Sequence, residues 1–432
     1  LIDVYVDAVF FPNITELTFK QEGWHYAPDE TDPNTLIYRG VVFNEMKGVY
    51  SQPDSLVHRH MSSAMYPNPK HIYGLDSGGD PSNIPDLSYA AFKQFHNEYY
   101  RPSNARIFFF GNDPESERLK LMDEAFTTLK EIDPDRCTVL PRPKPPIRPL
   151  KDGPGLRLKI PYMVDEEDMD EEDMDEEDMD EEDTTNQTTS NVKTEQTEQN
   201  NSKEQVGQHY GMLGWILNET SFSLEDSIVL GITNDLLVGN SSATLYRDVM
   251  NSKLGTAFIG GGLSDELQQC TFSVGLKGMK ASNMQHIEQV IHDSLQNVVD
   301  NGFQKEAIQA SVNSTEFSLL EFNTGDIPRG LSLMLASNPC WLYNDDPFSH
   351  LEMKTAMRQV RTRVENNEPI FENMVSKYLI NNKCQSFVEL VPDRSLGARQ
   401  KKEEEDRLKT VRANMNDIEY QQVIDQQVLL LE

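Results

Sequence analysis

The sequence has no long hydrophobic run and no excess of basic residues. No stretch approaches the ~18 consecutive apolar residues of a membrane span. Lys and Arg number 39 against 71 Asp and Glu, which gives a formal net charge of -32. This charge argues against a nucleic-acid backbone or an anionic membrane surface as partner. We therefore expect no nucleic-acid binding and no membrane span, whereas basic or amphipathic peptides suit such a surface.

Cysteines are few and widely spaced, at positions 137, 270, 340 and 384, and no CxxC pair occurs. This pattern favours free, buried thiols in a reducing compartment over a disulfide framework. Residues 1–11 carry acidic side chains and resemble structured core more than a signal or transit peptide. Because the chain opens inside an amphipathic pattern without an initiator Met, we expect it to be part of a longer protein.

Half of the net charge lies in one short segment. Residues 165–183 hold 16 acids and three Met, with the unit DEED occurring four times. Self-repulsion and the lack of apolar residues predict a disordered, solvated insertion within a linker over residues 151–207. Capture of divalent cations or basic peptides is the alternative for this tract. It does not resemble an EF-hand loop, because the central Gly and the alternating ligand spacing are missing.

Hydrophobic periodicity predicts an α/β (α+β) protein with two units. In the first, residues 1–150, the pattern predicts a helix at 1–11, a strand turning into a helix at 35–50, a Gly-rich loop at 73–81, a helix at 88–100, a strand at 105–111, a helix at 116–129 and a Pro-rich extended stretch at 140–150. Pro53 is expected to end the helix that precedes it.

The second unit, residues 208–392, repeats this mixture of elements without visible sequence repetition. The predicted strands are 210–217, 270–276 and 386–391, and the predicted helices are 224–239, 282–302 and 304–322. Residues 393–432 are charged and heptad-like. They are expected to form the start of a helical linker.

The nine histidines do not form a metal motif. None lies in HExxH or in the inverse, HxxEH, the spacings that place two imidazoles on one side of a helix. His58 and His60 are two positions apart, so on a helix they point about 200° from each other and should not share a metal. His286 and His292 also miss the required spacing. No signature of a serine or cysteine hydrolase occurs.

A run of three glycines at 260–262 invites comparison with a phosphate-binding loop. It lacks both the G-x-G-x-x-G spacing and the Gly-Lys-Ser/Thr ending. The sequence therefore favours a tight loop or a close backbone approach there.

Five segments carry a resemblance to a known family. They are YRGVVFNEMKGVYSQPD at 38–54, the run from YGLDSGGDP to FFFGN at 73–112, GTAFIGGGLSDELQQCTFSVGLKG at 255–278, EFSLLEFNTGDIPRGLSLML at 316–335 and DPFSHL at 346–351. Together they resemble the presequence protease and falcilysin branch of the pitrilysin-type zinc peptidases. The resemblance implies two pitrilysin-type domains, each a mostly antiparallel sheet packed with helices.

The resemblance implies a Zn²⁺ site. In this family the ion is held by two His of an HxxEH helix and by a Glu farther along the chain. Glu45, within FNEMKG, corresponds to that distal ligand. A carboxylate oxygen beside two imidazoles leaves a fourth position for water, as catalytic zinc requires. The HxxEH segment, with its general-base Glu, is not in this sequence. We therefore expect the chain alone to be inactive.

The resemblance also implies the activity and surroundings of the parent protein. We expect a zinc endopeptidase, monomeric at full length, that degrades targeting presequences and other short unfolded peptides in the mitochondrial matrix or plastid stroma. An enclosed chamber and peptide binding by strand addition are expected with it.

Two alternatives remain open. A non-catalytic scaffold, as in processing-peptidase or respiratory-complex core subunits, would keep the fold and lose the metal. The intact FNEMKG segment argues against this alternative, since a metal-free relative need not keep the ligand. An interaction or chaperone-like role of the acidic tract is the third possibility.

Overall fold

The computed structural model describes residues 2–69, 71–140, 147–164, 209–321, 326–351 and 353–431. The acidic repeat at 165–183 lies outside the described residues, as does part of the Pro-rich stretch at 140–150. Within the described ranges, the chain forms fifteen α-helices and seven β-strands. None of the described helices is long and apolar enough to cross a membrane.

The elements of the first part are mainly helical. In order they are α1 (Ile2–Phe10), α2 (Glu16–Glu22), β1 (His25–Pro28), β2 (Leu36–Arg39), α3 (Val41–Tyr50), α4 (Pro53–Met65), α5 (Tyr89–Tyr99), α6 (Glu115–Ile132) and β3 (Arg157–Met163). The predicted helices at 1–11, 88–100 and 116–129 are confirmed as α1, α5 and α6. The predicted change from strand to helix at 35–50 is confirmed as β2 and α3.

The second part alternates strands and helices. Its elements are β4 (His209–Ile216), α7 (Leu224–Val238), α8 (Thr244–Asn251), β5 (Ala257–Ser264), β6 (Thr271–Met279), α9 (Ile287–Asn301), α10 (Lys305–Glu321), α11 (Arg329–Trp341), α12 (Met353–Glu365), α13 (Ile370–Val375), β7 (Gln385–Asp393), α14 (Leu396–Asn414) and α15 (Asp417–Leu431). Each strand and helix predicted for 208–392 is present within a few residues. After residue 395 the described chain is helical in α14 and α15, as expected, and their role as the start of a linker stays a prediction.

The main sheet has five strands in the order β3-β7-β4-β6-β5. Three of its neighbouring pairs are antiparallel, and β3 runs parallel to β7. A separate two-stranded antiparallel sheet joins β1 and β2. The predicted class, mixed α/β with mostly antiparallel sheets, is confirmed. The proposed boundaries at 150, 207 and 392 stay a prediction, although β3 shows that the linker range 151–207 contributes a strand.

The central strand β4 separates two hydrophobic cores, because successive side chains point to opposite faces of a sheet. Leu213, Trp215 and Leu217 face the larger core, which contains buried residues of α7, α9, α12 and α13. Met212 and Ile216 face the smaller core, which contains buried residues of α4. The sheet is therefore covered by helices on both faces.

Close packing of α4 on the sheet depends on Gly214. A Cβ atom at this position would lie 2.2 Å from Cε of Met65 and 2.7 Å from Sδ of Met61. The missing side chain thus lets α4 approach the middle of β4. An element of the first part of the chain covers a sheet built mostly from the second.

Two local predictions are wrong in the described structure. Residues 105–111, predicted as a strand, are not in a strand. A strand depends on hydrogen bonds to a neighbouring strand, and no described segment pairs with these residues. Pro53 does not end α3, which already stops at Tyr50. It opens α4 instead, where its missing N–H costs nothing.

The glycine run at 260–262 lies in β5, at an irregularity in its pairing with β6. Gly260 has φ +100°, and a Cβ atom there would lie 2.6 Å from the carbonyl oxygen of Ser273. The prediction of a close backbone approach is confirmed.

None of the four cysteines, all of which lie in the described ranges, forms a disulfide bond; Cys270, Cys340 and Cys384 are buried, whereas Cys137 is half-buried. The prediction of free thiols is confirmed, and the prediction of burial holds for these three.

Candidate functional site

The predicted ligand Glu45 lies on α3, directly after β2. Gly40 joins the two elements with φ +150°, and a Cβ atom there would lie 2.1 Å from the carbonyl oxygen of Gly23. Only glycine fits this junction. Phe43 and Met46 are buried and orient the helix, so that Glu45 is exposed on another side.

Helices α14 and α15, near the end of the sequence, pack against α3. Nζ of Lys47 donates to both carboxylate oxygens of Glu404 on α14, at 3.0 and 2.7 Å. Leu408 on α14 and Tyr420 on α15 are buried in the same apolar cluster as Phe43. The helix that carries Glu45 is therefore fixed by residues from the far end of the sequence.

The described residues do not by themselves fit a zinc ion. Across the described ranges, no group of three or more His, Cys, Asp or Glu side chains is placed to hold a metal. The carboxylate of Glu45 makes no hydrogen bond or ion pair with another described residue. A catalytic zinc site takes three protein ligands. Glu45 can supply one oxygen ligand, and its role stays a prediction.

Beside α3, an open cleft of about 940 Å³ lies between α4 and residues 74–83. His58 and His60 both line it, although their spacing places them on different sides of a helix. His58 is exposed as a residue, but partial desolvation of its ring lowers its pKa, against the opposing effect of Asp54. Burial likewise lowers the pKa of His60, against the opposing effect of Asp80. In both imidazoles the lowered pKa favours the neutral form.

The Gly-rich loop predicted at 73–81 closes this cleft on one side. Arg59 forms an ion pair with Asp76 of the loop, and its guanidinium carbon lies 4.4 Å from the ring centre of Tyr50. A Cβ atom on Gly78 would lie 2.6 Å from Sδ of Met46. The loop therefore packs directly against the helix that carries Glu45.

The sequence reasoning missed α4, which connects α3, the cleft and the sheet. Val57, Met61, Ala64 and Met65 are buried, at the i, i+4, i+7, i+8 spacing of a helix that packs on one side. Pro53 at the first position is also a helix-start signal. Both signals are present in the sequence and would have identified this helix.

A protein-family model, the peptidase M16 inactive domain, matches residues 86–315 of this chain. The match covers about half of the sequence and includes most elements between α5 and α10. Glu45 lies before the matched range.

The chain is also similar to named presequence proteases. It is 36% identical over 422 residues to presequence protease 1, chloroplastic/mitochondrial, of Arabidopsis thaliana, covering 96% of this chain and 35% of that protein. It is 27% identical over 412 residues to the mitochondrial presequence protease of Danio rerio, covering 94% of this chain and 36% of that protein. The chain thus spans about a third of the length of these relatives.

Solved structures agree on the fold. A peptidase M16 inactive domain from Pseudomonas fluorescens superposes with a TM-score of 0.53 at 15% identity, covering 82% of this chain and 69% of that one. A protease from Helicobacter pylori gives 0.52 at 14% identity, covering 82% and 70%. The resemblance to presequence proteases is confirmed, and the chain belongs to the peptidase M16 family.

Proposed function

We propose that this chain is part of a zinc metalloendopeptidase that degrades targeting presequences and other short unfolded peptides. The observation that carries the proposal is the similarity to presequence proteases over 96% of the chain. The segment around Glu45 belongs to this similarity. Its carboxylate is exposed and free of partners among the described residues, as a ligand that completes a site elsewhere should be.

In this proposal Glu45 contributes one zinc ligand, and the remaining ligands and the general base come from polypeptide outside these 432 residues. The chain by itself then neither holds zinc at neutral pH nor cuts peptides. Its own contribution is to place α3, through Gly40, Lys47 and the cluster around Phe43, so that Glu45 points away from the core.

The site of action in the proposal is the mitochondrial matrix or the plastid stroma, because the relatives named above carry the words mitochondrial and chloroplastic/mitochondrial. The partners are unfolded peptides, and the parent enzyme acts as a monomer. Immunodetection of the parent protein in purified organelles tests the location, and its absence from both organelles would contradict it.

A non-catalytic scaffold is the second candidate. It is favoured by the match to a family model described as an inactive domain. That match begins at residue 86, so it concerns the elements after α4 and leaves Glu45 outside. One peptidase can therefore contain both a domain described as inactive and the helix α3 that carries Glu45.

The decisive experiment measures bound zinc and cleavage of a quenched fluorescent presequence peptide. It compares this chain with a longer form extended in both directions to the natural ends of the protein. We expect only the longer form to bind zinc and cut. We also expect Glu45→Gln to remove both properties from the longer form.

Glu22→Gln serves as the matched control, because Glu22 is also an exposed helical glutamate. It should leave zinc content and cleavage unchanged. A longer form that carries no zinc and cuts nothing would instead place the protein among the metal-free scaffolds. Full zinc binding by the Glu45→Gln form would remove Glu45 from the ligand set.

A further inference from the structure

The turn that ends α11 is bonded to two segments from the first part of the chain. Oη of Tyr343 in this turn shares a hydrogen bond of 2.5 Å with Oη of Tyr73 at the start of the Gly-rich loop. The guanidinium of Arg106 donates to the carbonyl oxygen of Trp341, from Nε at 3.3 Å and from Nη2 at 3.2 Å. Nη2 also donates to Oδ1 of Asn344 at 3.2 Å. We call these five residues, Tyr73, Arg106, Trp341, Tyr343 and Asn344, the α11 clamp.

The surroundings of the α11 clamp favour a fixed geometry. The carbonyl of Trp341 lies in the last turn of α11, where carbonyls lack helical partners and a cation is favoured. The guanidinium carbon of Arg106 also lies 5.6 Å from the centre of the Trp341 ring. Asn344 has φ +71°, a backbone conformation that asparagine adopts more readily than most residues. Tyr73, Arg106 and Tyr343 are half-buried, so their hydrogen bonds are partly shielded from water.

The segment that carries Arg106 also contacts the other end of α11. A Cβ atom on Gly330, in the first turn of α11, would lie 2.7 Å from the ring of Phe110. From Gly330 to Trp341 the helix rises about 16 Å. Four residues of chain from Arg106 to Phe110 reach at most about 14 Å, and the side chains at both ends extend this reach. Residues 106–110, which pair with no described strand, are therefore held by α11 instead.

Tyr73 connects the α11 clamp to the helix that carries Glu45. It directly precedes residues 74–83, which line the cleft beside α4. Within this loop, a Cβ atom on Gly78 would lie 2.6 Å from Sδ of Met46 on α3. Met46 is buried and is the neighbour of Glu45 in the sequence. A displacement of the loop would remove a packing partner of Met46, and the orientation of α3 would change with it.

We propose that Tyr343 and Arg106 are positioning residues for Glu45. Arg106 fixes the turn after α11, Tyr343 in that turn fixes the Gly-rich loop through Tyr73, and the loop fixes α3. The inference rests on the proposed peptidase function, because only there does Glu45 act as a zinc ligand. It assigns the second part of the chain a role in keeping a ligand of the first part in place.

The first test is amide hydrogen exchange of this 432-residue chain, followed by mass spectrometry. We expect Tyr343→Phe to raise the exchange rate of peptides covering 72–84 and 41–50 about threefold or more, because the lost hydrogen bond no longer opposes local opening. Peptides from the central strand β4 should be unchanged. Tyr246→Phe, at a half-buried tyrosine of α8, is the matched control and should change none of them. Unchanged exchange over 72–84 in the Tyr343→Phe form would overturn the proposal.

Further variants separate the loss of one bond from a general loss of packing. Tyr73→Phe alone, and Tyr73→Phe combined with Tyr343→Phe, should each match Tyr343→Phe, since removing either hydroxyl removes the same bond. Additive effects of the two tyrosine changes would contradict a shared bond. Arg106→Lys should keep slower exchange than Arg106→Gln, because it retains a charged donor at the end of α11. Circular dichroism and thermal unfolding confirm that each variant is folded.

The last test measures the zinc dissociation constant of the longer form by competition with a chelator. We expect Tyr343→Phe to raise this constant about threefold or more, and excess zinc to restore the cleavage lost at limiting zinc. An unchanged zinc dissociation constant, despite faster exchange of the loop, would show that the clamp does not position Glu45. Failure of the peptidase proposal is distinguishable, because the longer form without substitutions would then bind no zinc. Hydrogen exchange in this chain decides independently whether the clamp holds the loop and α3.

Discussion

Nζ of Lys47 lies 2.7 Å from a carboxylate oxygen of Glu404, which joins two residues 357 positions apart in the sequence. The pair connects α3 to α14 beside Glu45. Both side chains are partly exposed, at 55% and 34%, so the ion pair contributes little free energy. The buried apolar contacts beneath it carry most of the attachment.

Replacing Leu408 should therefore cost much more stability than breaking the ion pair. Leu408 is 4% exposed in the cluster with Phe43 and Tyr420. We expect Leu408→Ala to lower the free energy of unfolding by about 2–4 kcal/mol. Glu404→Gln should lower it by less than about 1 kcal/mol. Urea unfolding followed by circular dichroism measures both values, and a larger effect of Glu404→Gln would reverse this assignment.

Two neighbouring glycines in β5 should respond differently to alanine. Gly260 has φ +100° and no room for a Cβ atom, whereas Gly261 has no other atom within 4 Å of that position. We expect Gly260→Ala to destabilise the protein by about 1–3 kcal/mol. Gly261→Ala should be nearly neutral. Melting temperatures of the two variants provide the comparison. Equal melting temperatures would show that the backbone at Gly260 accepts a side chain as readily as the backbone at Gly261.

Stability should fall as the pH drops below about 6.5. Burial holds the pKa of His58 and of His60 below the ordinary value of 6.5, so the unfolded chain takes up protons first. As far as these two histidines are concerned, the free energy of unfolding is undiminished above about pH 6.5 and decreases as the pH falls below that value.

We expect the urea midpoint to decrease between about pH 7.5 and about pH 5.5. The double variant His58→Gln, His60→Gln should show a smaller decrease. Ser55→Ala, at a non-titrating residue that lines the same cleft, should retain the full decrease. An unchanged pH dependence in the histidine variant would exclude these two groups as its source.

The cysteines should react at different rates. Burial raises the pKa of the Cys270 thiol to about 12 and also raises the pKa of Cys340 and Cys384. The reactive thiolate is therefore scarce at these sites. We expect Cys137 to react first with a thiol reagent in the native protein, and all four after unfolding in urea. Mass spectrometry of modified peptides identifies the order, and early modification of Cys270 would contradict it.

The sequence was sufficient for elements whose signal is local. The helices α5, α6 and α7 and the strands β4 and β6 each carry their own periodicity and end signals, so pattern reasoning located them. The antiparallel-rich fold class also followed, with help from the family resemblance.

Elements that depend on distant partners were harder to predict. β3 was missed because its pairing with β7 joins Arg157 to Phe387, far apart in sequence. Residues 105–111 have the composition of a strand, yet composition does not supply a neighbouring strand. The cleft could not be foreseen, because it depends on how the loop at 74–83 lies against α4. The role of Glu45 came from the resemblance alone and still awaits the zinc measurement.

The arrangement of β3, β7 and β4 has a practical consequence for protein engineering. β3 ends at Met163 beside Asp393 of β7, and β4 begins at His209 near Leu390 on the other side of the same strand. The two ends are thus separated by one strand, or about 10 Å. The entropic free energy of bringing the two ends of a loop together grows only with the logarithm of the loop length. We therefore expect that the number of DEED units can change without disturbing the sheet. Residues 165–208 are accordingly a suitable position for inserting an affinity tag or a fluorescent reporter.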